Sequence, residues 1–401
     1  MRILHVVPTY LPAARYGGPI VAVHSLCRAL AARGHAVEVF TTSIDGPVDT
    51  AVPHDRPVML DGVKVRYFAS RRLRRLSYAP SLMQSLHDEI AGADVVHLHS
   101  AFLWPTWRAA RLSRKRRIPY VVSPRGMLVK TLIASRNRLI KSAWIALIER
   151  TSLEQAAAIH ATSAIEAVEI QKFGWRLPRI AVVPNGVDAI DQDARQDACQ
   201  DACQDACQDA PAADIAALAG QQPLVLFFGR LAQVKGLDRL LRAFARTRRG
   251  TLAMVGNDYE GLAAGLSELA RQLQIDDRVR IVPRTITDAE KERMFAAARL
   301  FVLPSYSESF GNVVLEAMQR GLPVIVTPEV GAAEVVKESG GGLVADGDAL
   351  SLGAAIDRLT EDAVQAAAMG EAGRRHVSER YGWPGVAARM EALYGELKAA
   401  Q

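Results

Sequence analysis

Two carboxylates and two cations in the carboxyl-terminal half are spaced for work on one charged ligand. Ser305-Tyr-Ser-Glu308-Ser-Phe310-Gly311-Asn312-Val313-Val-Leu-Glu316 follows an apolar run ending at Pro304 and leads into a helical stretch. In α/β proteins, ligands bind where a loop leaves the carboxyl end of a parallel strand and starts a helix. The amides of Gly311, Asn312 and Val313 at such a start point toward an anion, and the helix dipole favours one. Glu308 precedes the helix and Glu316 falls in its second turn, so the two can grip different parts of one ligand. Taken singly, they are a capping residue and a surface residue. Phe228-Gly229-Arg230-Leu231 and Lys235-Gly236 follow another apolar run. A fork-shaped guanidinium and a point-charge ammonium after a glycine turn suit a diphosphate. Separately, a basic loop after a strand is ordinarily just solvated.

In the amino-terminal half, Asp94-Val-Val-His97-Leu-His99 ends a strand with two imidazoles. They alternate along it, so one is expected on each side of the sheet, with His99 the functional one. Gly17-Gly18-Pro19 forms a glycine loop before a helix but is not G-x-G-x-x-G. No acidic residue stands where a dinucleotide ribose would need it, which disfavours a nicotinamide dehydrogenase. Asp346-Gly347-Asp348 has the D-x-D form of metal-dependent transferases, yet it precedes Ala349-Leu350 and reads as a helix cap. No metal and no cofactor is expected.

These residues need strands and helices in alternation to hold them. Apolar strands are expected at Ile3–Val7, Ala36–Phe40, Lys64–Phe68, Asp94–Leu98, Tyr120–Ser123, Ala158–Thr162 and Ile180–Val183. The second half repeats the plan at Leu224–Phe228, Leu252–Val255, Val279–Val282, Leu300–Leu303, Pro323–Val326 and Gly342–Ala345. Amphipathic helices fill most gaps, so the fold class is α/β with parallel sheets covered on both faces. Two Rossmann-like domains in tandem account for 401 residues of 49% hydrophobic and 23% charged composition. The expected division is 1–190, an insertion at 191–211, then 212–380, and a final helix at 381–401.

The insertion is a four-residue repeat, with Gln-Asp-Ala-Cys at its core. It carries Cys199, Cys203 and Cys207, three of the four cysteines in the chain. Helical spacing would line them up and invites a metal site, but no nearby histidine completes a four-ligand set. An expanded coding repeat in an exposed interdomain segment is the plainer reading.

As an ordered set, these motifs resemble the family 4 nucleotide-sugar glycosyltransferases of GT-B fold. Glu308 through Glu316 is similar to that family's Glu-x7-Glu motif, and Gly229, Arg230, Lys235 and Gly236 to its phosphate-binding pair. Pro8 with Gly17-Gly18-Pro19 resembles its first loop, His97-Leu-His99 its H-x-H strand end, and Pro184-Asn185-Gly186-Val187-Asp188 the close of its first domain. Ser123-Pro124-Arg125-Gly126-Met127 resembles a subgroup acting on polysaccharide or lipid-linked acceptors. Tyr381-Gly382-Trp383 resembles the start of a helix that crosses back to the first domain.

The resemblance implies two domains facing a central cleft and transfer of a sugar with retained anomeric configuration. Arg230 and Lys235 would neutralise the donor diphosphate, and Phe310, Gly311, Asn312 and Val313 would add backbone donors. Glu316 would bind the ribose, and Glu308 the transferred sugar. His99 would stand near sugar and acceptor, Gly17 and Gly18 would admit the phosphates, and Arg125 and Asn185 would face the acceptor. A nucleotide-sugar epimerase shares the fold and is the rival enzyme. A non-catalytic, basic surface-binding protein is the rival from another class.

Charge is unevenly spread. Residues 1–190 hold 26 Lys+Arg against 13 Asp+Glu, net +13, and residues 191–401 hold 23 against 30, net −7. Arg71, Arg72, Arg74 and Arg75, the run Arg108 to Arg117, and Lys130, Arg136, Arg138 and Lys141 beside Leu139, Ile140, Trp144 and Leu147 suit an anionic membrane surface. A solvated basic face is the alternative. No nucleic-acid recognition fold accompanies the charge. No apolar run reaches the length of a membrane span, and the start does not resemble a signal peptide. The expected location is cytoplasmic, peripheral on the inner face of the membrane.

Overall fold

The computed structural model describes residues 1–13, 15, 17–54, 56–130, 144–189, 213–220 and 223–400. The Gln-Asp-Ala-Cys repeat, with Cys199, Cys203 and Cys207, lies outside the described residues. So do Arg136, Arg138, Leu139, Ile140 and Lys141 of the proposed membrane helix.

The chain divides into two compact units. One comprises Met1–Gly186 with Trp383–Gln401, and the other Val187–Gly382. The divisions therefore fall a few residues away from the expected 190 and 381. Val187 N donates to Tyr381 O at 2.8 Å, and Val187 pairs with Gly382 as a parallel bridge.

In the first unit the strands are β1 (Arg2–Thr9), β2 (Ala36–Thr42), β3 (Ile44–Asp45), β4 (Val48–Asp49), β5 (Val58–Leu60), β6 (Val63–Phe68), β7 (Val95–His99), β8 (Tyr120–Ser123), β9 (Ala158–Ala161) and β10 (Ile180–Val182). Eight form one sheet in the order β10-β9-β8-β7-β1-β2-β6-β5. All neighbours are parallel except the β5–β6 pair, an antiparallel edge the sequence reading did not anticipate. Parallel strands buried on both faces read as runs of Val, Ile and Leu, which the middles of β1 and β7 are apart from His5, His97 and His99. Met59 and Lys64, paired across the edge, leave no such run, because an edge needs burial on one side only.

The helix Trp383–Ala399 completes this unit. Trp383, Val386, Ala387, Met390, Leu393 and Tyr394 join the core cluster containing Ile3, Val39 and Val95. Ion pairs of Arg33 with Glu391 and of Lys398 with Asp94 flank that seam.

In the second unit the strands are β11 (Leu224–Phe228), β12 (Thr251–Val255), β13 (Val279–Val282), β14 (Leu300–Leu303), β15 (Val324–Val326) and β16 (Gly342–Val344). They form a parallel sheet in the order β13-β12-β11-β14-β15-β16. Each sheet has one point where strand order reverses: between β1 and β7 in the first, and between β11 and β14 in the second. That is where open α/β sheets leave a crevice for ligands. Among the described residues, no helix is long and apolar enough to cross a membrane.

Candidate active site

In the second unit, the loops after β11 and β14 meet at the reversal point. Gly236 sits at φ +66, and a Cβ there would fall 2.1 Å from Pro304 O, so only glycine lets the two loops touch. Tyr306 N donates to Val234 O at 2.8 Å across the same contact. The loop after β14 is clamped on its other side. Glu308 N donates to Glu329 O at 3.2 Å, Gly331 N to Glu308 O at 2.9 Å, and Ala332 N to Phe310 O at 2.7 Å. Gly311 at φ +92 then turns the chain into the helix Asn312–Gln319.

This framework brings Lys235 Nζ into direct contact with Glu308 Oε2, both side chains largely buried. Arg230 is exposed and makes no ion pair among the described residues. Glu316 faces Lys291 Nζ at 2.5 Å, and Lys291 lies over the Phe228 ring. Lys291 was not foreseen; only the fold brings it to the carboxylate. Phe310 packs in the core, leaving only its backbone for a ligand. Asp348 accepts from Leu350 N and Ser351 N and so caps the following helix, as its place in Asp346-Gly347-Asp348 suggests.

In the first unit, Gly17 at φ +66 ends the first loop and Gly18 opens the helix Gly18–Ala32. The adjoining reversal point carries the histidines. Here one expectation fails. His97 and His99 lie on the same face of β7, with ring centroids 4.1 Å apart and both rings buried. Strand side chains alternate every residue, so positions two apart share a side. His5 on β1 and His160 on β9 join them, and neither was singled out from the sequence. The signal was there: an imidazole in the middle of an otherwise apolar parallel strand.

The hydrogen bonds fix the tautomers. Burial, helped by the Arg125 charge, pulls His5 and His160 down to about 3. Burial first, then neighbouring charge, holds His97 and His99 well below the usual value. All four rings are neutral near pH 7. Val183 O can only accept, so His160 carries its proton on Nε2, 2.8 Å away. His160 Nδ1 then accepts from Ser123 Oγ–H at 2.7 Å. With that proton spent, Ser123 Oγ accepts from His97 Nε2–H at 2.7 Å, and His97 Nδ1 accepts from the Tyr394 hydroxyl at 2.6 Å. One directed chain thus runs from Tyr394 in the last helix to the Val183 carbonyl just after β10.

A second chain starts at Arg125, which only donates. Its Nη1 bonds Asn185 Oδ1 at 2.8 Å, and its Nη2 reaches His99 Nδ1 at 3.5 Å. His99 Nε2–H therefore donates to His5 Nδ1 at 2.9 Å. His5 Nε2–H is left buried without a partner among the described residues. Ring nitrogens of His5, His97 and His99 lie within 4.8 Å of one another, close enough for one ion. Their chemistry points elsewhere. Both His97 nitrogens are engaged, His5 and His99 bond each other, and the cation beside His99 is the reverse of the acceptor that a metal-bound imidazole normally finds.

Residues 212–376 match the family described as Glycosyl transferases group 1, and residues 17–186 match the Glycosyl transferase 4-like domain. The D-inositol 3-phosphate glycosyltransferase of Kineococcus radiotolerans is 30% identical over 94% of this chain and 90% of that protein. Among solved structures, sucrose-phosphate synthase from Thermosynechococcus elongatus superposes with a TM-score of 0.75 at 24% identity, covering 100% of both chains. Anabaena HepE in complex with UDP and glucose gives 0.72 at 20% identity, over 99% of this chain and 100% of that one. Both structures share the GT-B fold with this protein. The two family descriptions name glycosyl transferases, not epimerases. By the two family matches and the Kineococcus relative, this chain belongs to the family 4 glycosyltransferases of GT-B fold.

Proposed function

We propose that the enzyme transfers a hexosyl group from a nucleoside-diphosphate sugar, with retention, to a glycan or lipid-linked acceptor in cell-envelope glycan assembly. The observation that carries the donor half is the contact of Lys235 with Glu308 beside the start of the helix Asn312–Gln319. A cation, a carboxylate and a helix amino terminus at one sheet reversal suit a diphosphate joined to a sugar. The UDP and glucose bound by Anabaena HepE support a UDP-sugar as the donor to try first.

In the reaction, the bond from the anomeric carbon to the β-phosphate oxygen breaks as the acceptor oxygen bonds to that carbon on the same face. The acceptor proton passes to the departing phosphate oxygen. Arg230 and Lys235 neutralise the charge that grows on the diphosphate, the largest electrostatic demand of the step. Glu316, oriented by Lys291, accepts from the ribose hydroxyls. Glu308 binds the sugar hydroxyls and supports the oxocarbenium-like transition state. Paired with a lysine, it is a positioning group rather than the nucleophile of a retaining glycosidase. His99, Arg125 and Asn185 serve the acceptor side. No step calls for a metal ion.

The exposed Arg71, Arg72 and Arg75 support a second element of the proposal, peripheral attachment to an anionic membrane on the cytoplasmic side. Arg74 belongs to the fold instead: it binds Asp49 at 2.8 Å and the Val48 carbonyl at 2.7 Å.

A panel of UDP-, GDP- and ADP-sugars screened by thermal shift identifies the donor. With that donor, Lys235→Met and Glu308→Gln should each lower turnover about 10²-fold or more. Proton NMR of the product should show the donor's anomeric configuration. Wild-type turnover in both variants, or an inverted product, would refute the assignment.

A further inference from the structure

We propose that Arg239 is a positioning residue for Glu308, and that Gly347, between Asp346 and Asp348, is kept small to seat it. The inference rests on the transferase reading, which gives Glu308 the transferred sugar.

Three loops of the second unit converge on one guanidinium. Arg239 stands in the helix Leu237–Phe244, which starts directly after the Lys235-Gly236 loop. Its Cζ lies 3.7 Å from the centroid of the Tyr306 ring, in the loop after β14. Its Nη1 lies 3.7 Å from Glu329 Oε1, in the loop after β15. Gly347, in the loop after β16, faces the same group. A Cβ there would fall 2.5 Å from Nη1 and 2.7 Å from Cζ. The same helix holds Tyr306 a second time, because the tyrosine hydroxyl donates to Asp238 Oδ2 at 2.9 Å.

These contacts bracket Glu308. Tyr306 lies two residues before it, and Glu308 N donates to the carbonyl of Glu329 itself. Lys235, the partner of the Glu308 carboxylate, lies just ahead of the helix that carries Arg239. An arginine suits this place because its flat face stacks on a ring while its charge reaches a carboxylate; a lysine ammonium does not combine the two. Arg239 Nη1 is buried and makes no hydrogen bond among the described residues. Stacking, charge and the fit against Gly347 therefore hold the guanidinium in place.

The glycine is explained by space rather than by backbone. Gly347 is not among the glycines of positive φ, so its conformation is open to a residue with a Cβ. Asp348 caps the next helix through its own side chain, which leaves no demand on its neighbour. What a side chain at 347 would meet is Arg239.

Gly347→Ala is the sharpest probe, because it removes no polar group and the end of a flexible side chain can yield to it. The fold should stay intact while the guanidinium moves. Hydrogen exchange over residues 304–311, read without ligand, should quicken in Gly347→Ala and in Arg239→Met. Turnover of UDP-glucose should fall about tenfold or more in both. Calorimetric affinity for UDP should stay unchanged, because UDP carries no sugar for Glu308 to hold. Arg239→Lys, which keeps the charge and loses the stack, should recover part of the turnover lost in Arg239→Met. Wild-type exchange or wild-type turnover in both variants would overturn the proposal. A loss of UDP affinity in step with turnover would also overturn it, by marking a merely structural role. Should the wild-type protein not turn over UDP-glucose, faster exchange in both variants would still support the positioning role and leave only the transferase reading in question.

Discussion

Acid should weaken the first unit before it affects the second. The perturbation is a shift from pH 7 to pH 5, and the responding groups are the four buried histidines. Burial lowers the pKa of His5 and His160 from 6.5 to about 3, so the folded protein keeps them neutral while the unfolded chain protonates them. The unfolded state binds more protons below pH 6.5, so stability falls as the pH drops through that value. The loss grows by about 1.4 kcal/mol per histidine per pH unit and levels off near pH 3. Between pH 7 and 5 each of these two rings costs about 2 kcal/mol. His97 and His99 act in the same direction. Two rings alone remove about 4 kcal/mol from a unit whose total is on the order of 5–15 kcal/mol.

The sequence supplies the reporter. All five tryptophans, Trp104, Trp107, Trp144, Trp175 and Trp383, belong to the first unit. Urea unfolding followed by tryptophan fluorescence therefore reads that unit, and its midpoint should fall steeply from pH 7 to 5. A midpoint unchanged over that range would show that the imidazoles are already charged in the folded protein or reachable by water. The directed hydrogen-bond chain would then be wrong.

Tyr394→Phe keeps the ring and removes the one donor to His97 Nδ1, leaving a buried acceptor unpaired; it should cost about 1–3 kcal/mol in the same assay. It should also move the His97 nitrogen shifts in NMR, and a change below about 0.5 kcal/mol with unmoved shifts would reverse the assigned direction of the chain. At the surface, replacing Arg71, Arg72 and Arg75 together with Glu should abolish binding to phosphatidylglycerol vesicles, at about 1 kcal/mol for each arginine near the membrane. Equal wild-type binding to neutral and anionic vesicles would refute membrane attachment.

Much of this architecture is legible in one dimension. Apolar runs such as Ile3–Val7 and Leu224–Phe228 can be buried on both faces only in a parallel sheet, and the spacing of Val386, Met390 and Leu393 commits the last helix to a core. The order Gly229, Arg230, Lys235, Glu308, Glu316 also raises the expectation of a diphosphate-and-sugar site before any contact is known. The shared face of His97 and His99 follows from strand periodicity itself. The β5 edge was missed because an edge strand pays for only one buried face and so leaves a weak apolar signal.

What the sequence by itself determined is most of the strands and helices and the family, because each depends on spacing within a few turns of chain. Tertiary structure alone decided the rest. Lys235 meets Glu308 across 73 positions, His5 meets His99 across 94, and His97 meets Tyr394 across 297. Whether a cation finds a counter-ion, and which nitrogen of a histidine carries the proton, are set by the groups packed around it. For Arg125 those groups come from β7, the turn after β8 and the end of the first unit, and they meet only when the three are assembled.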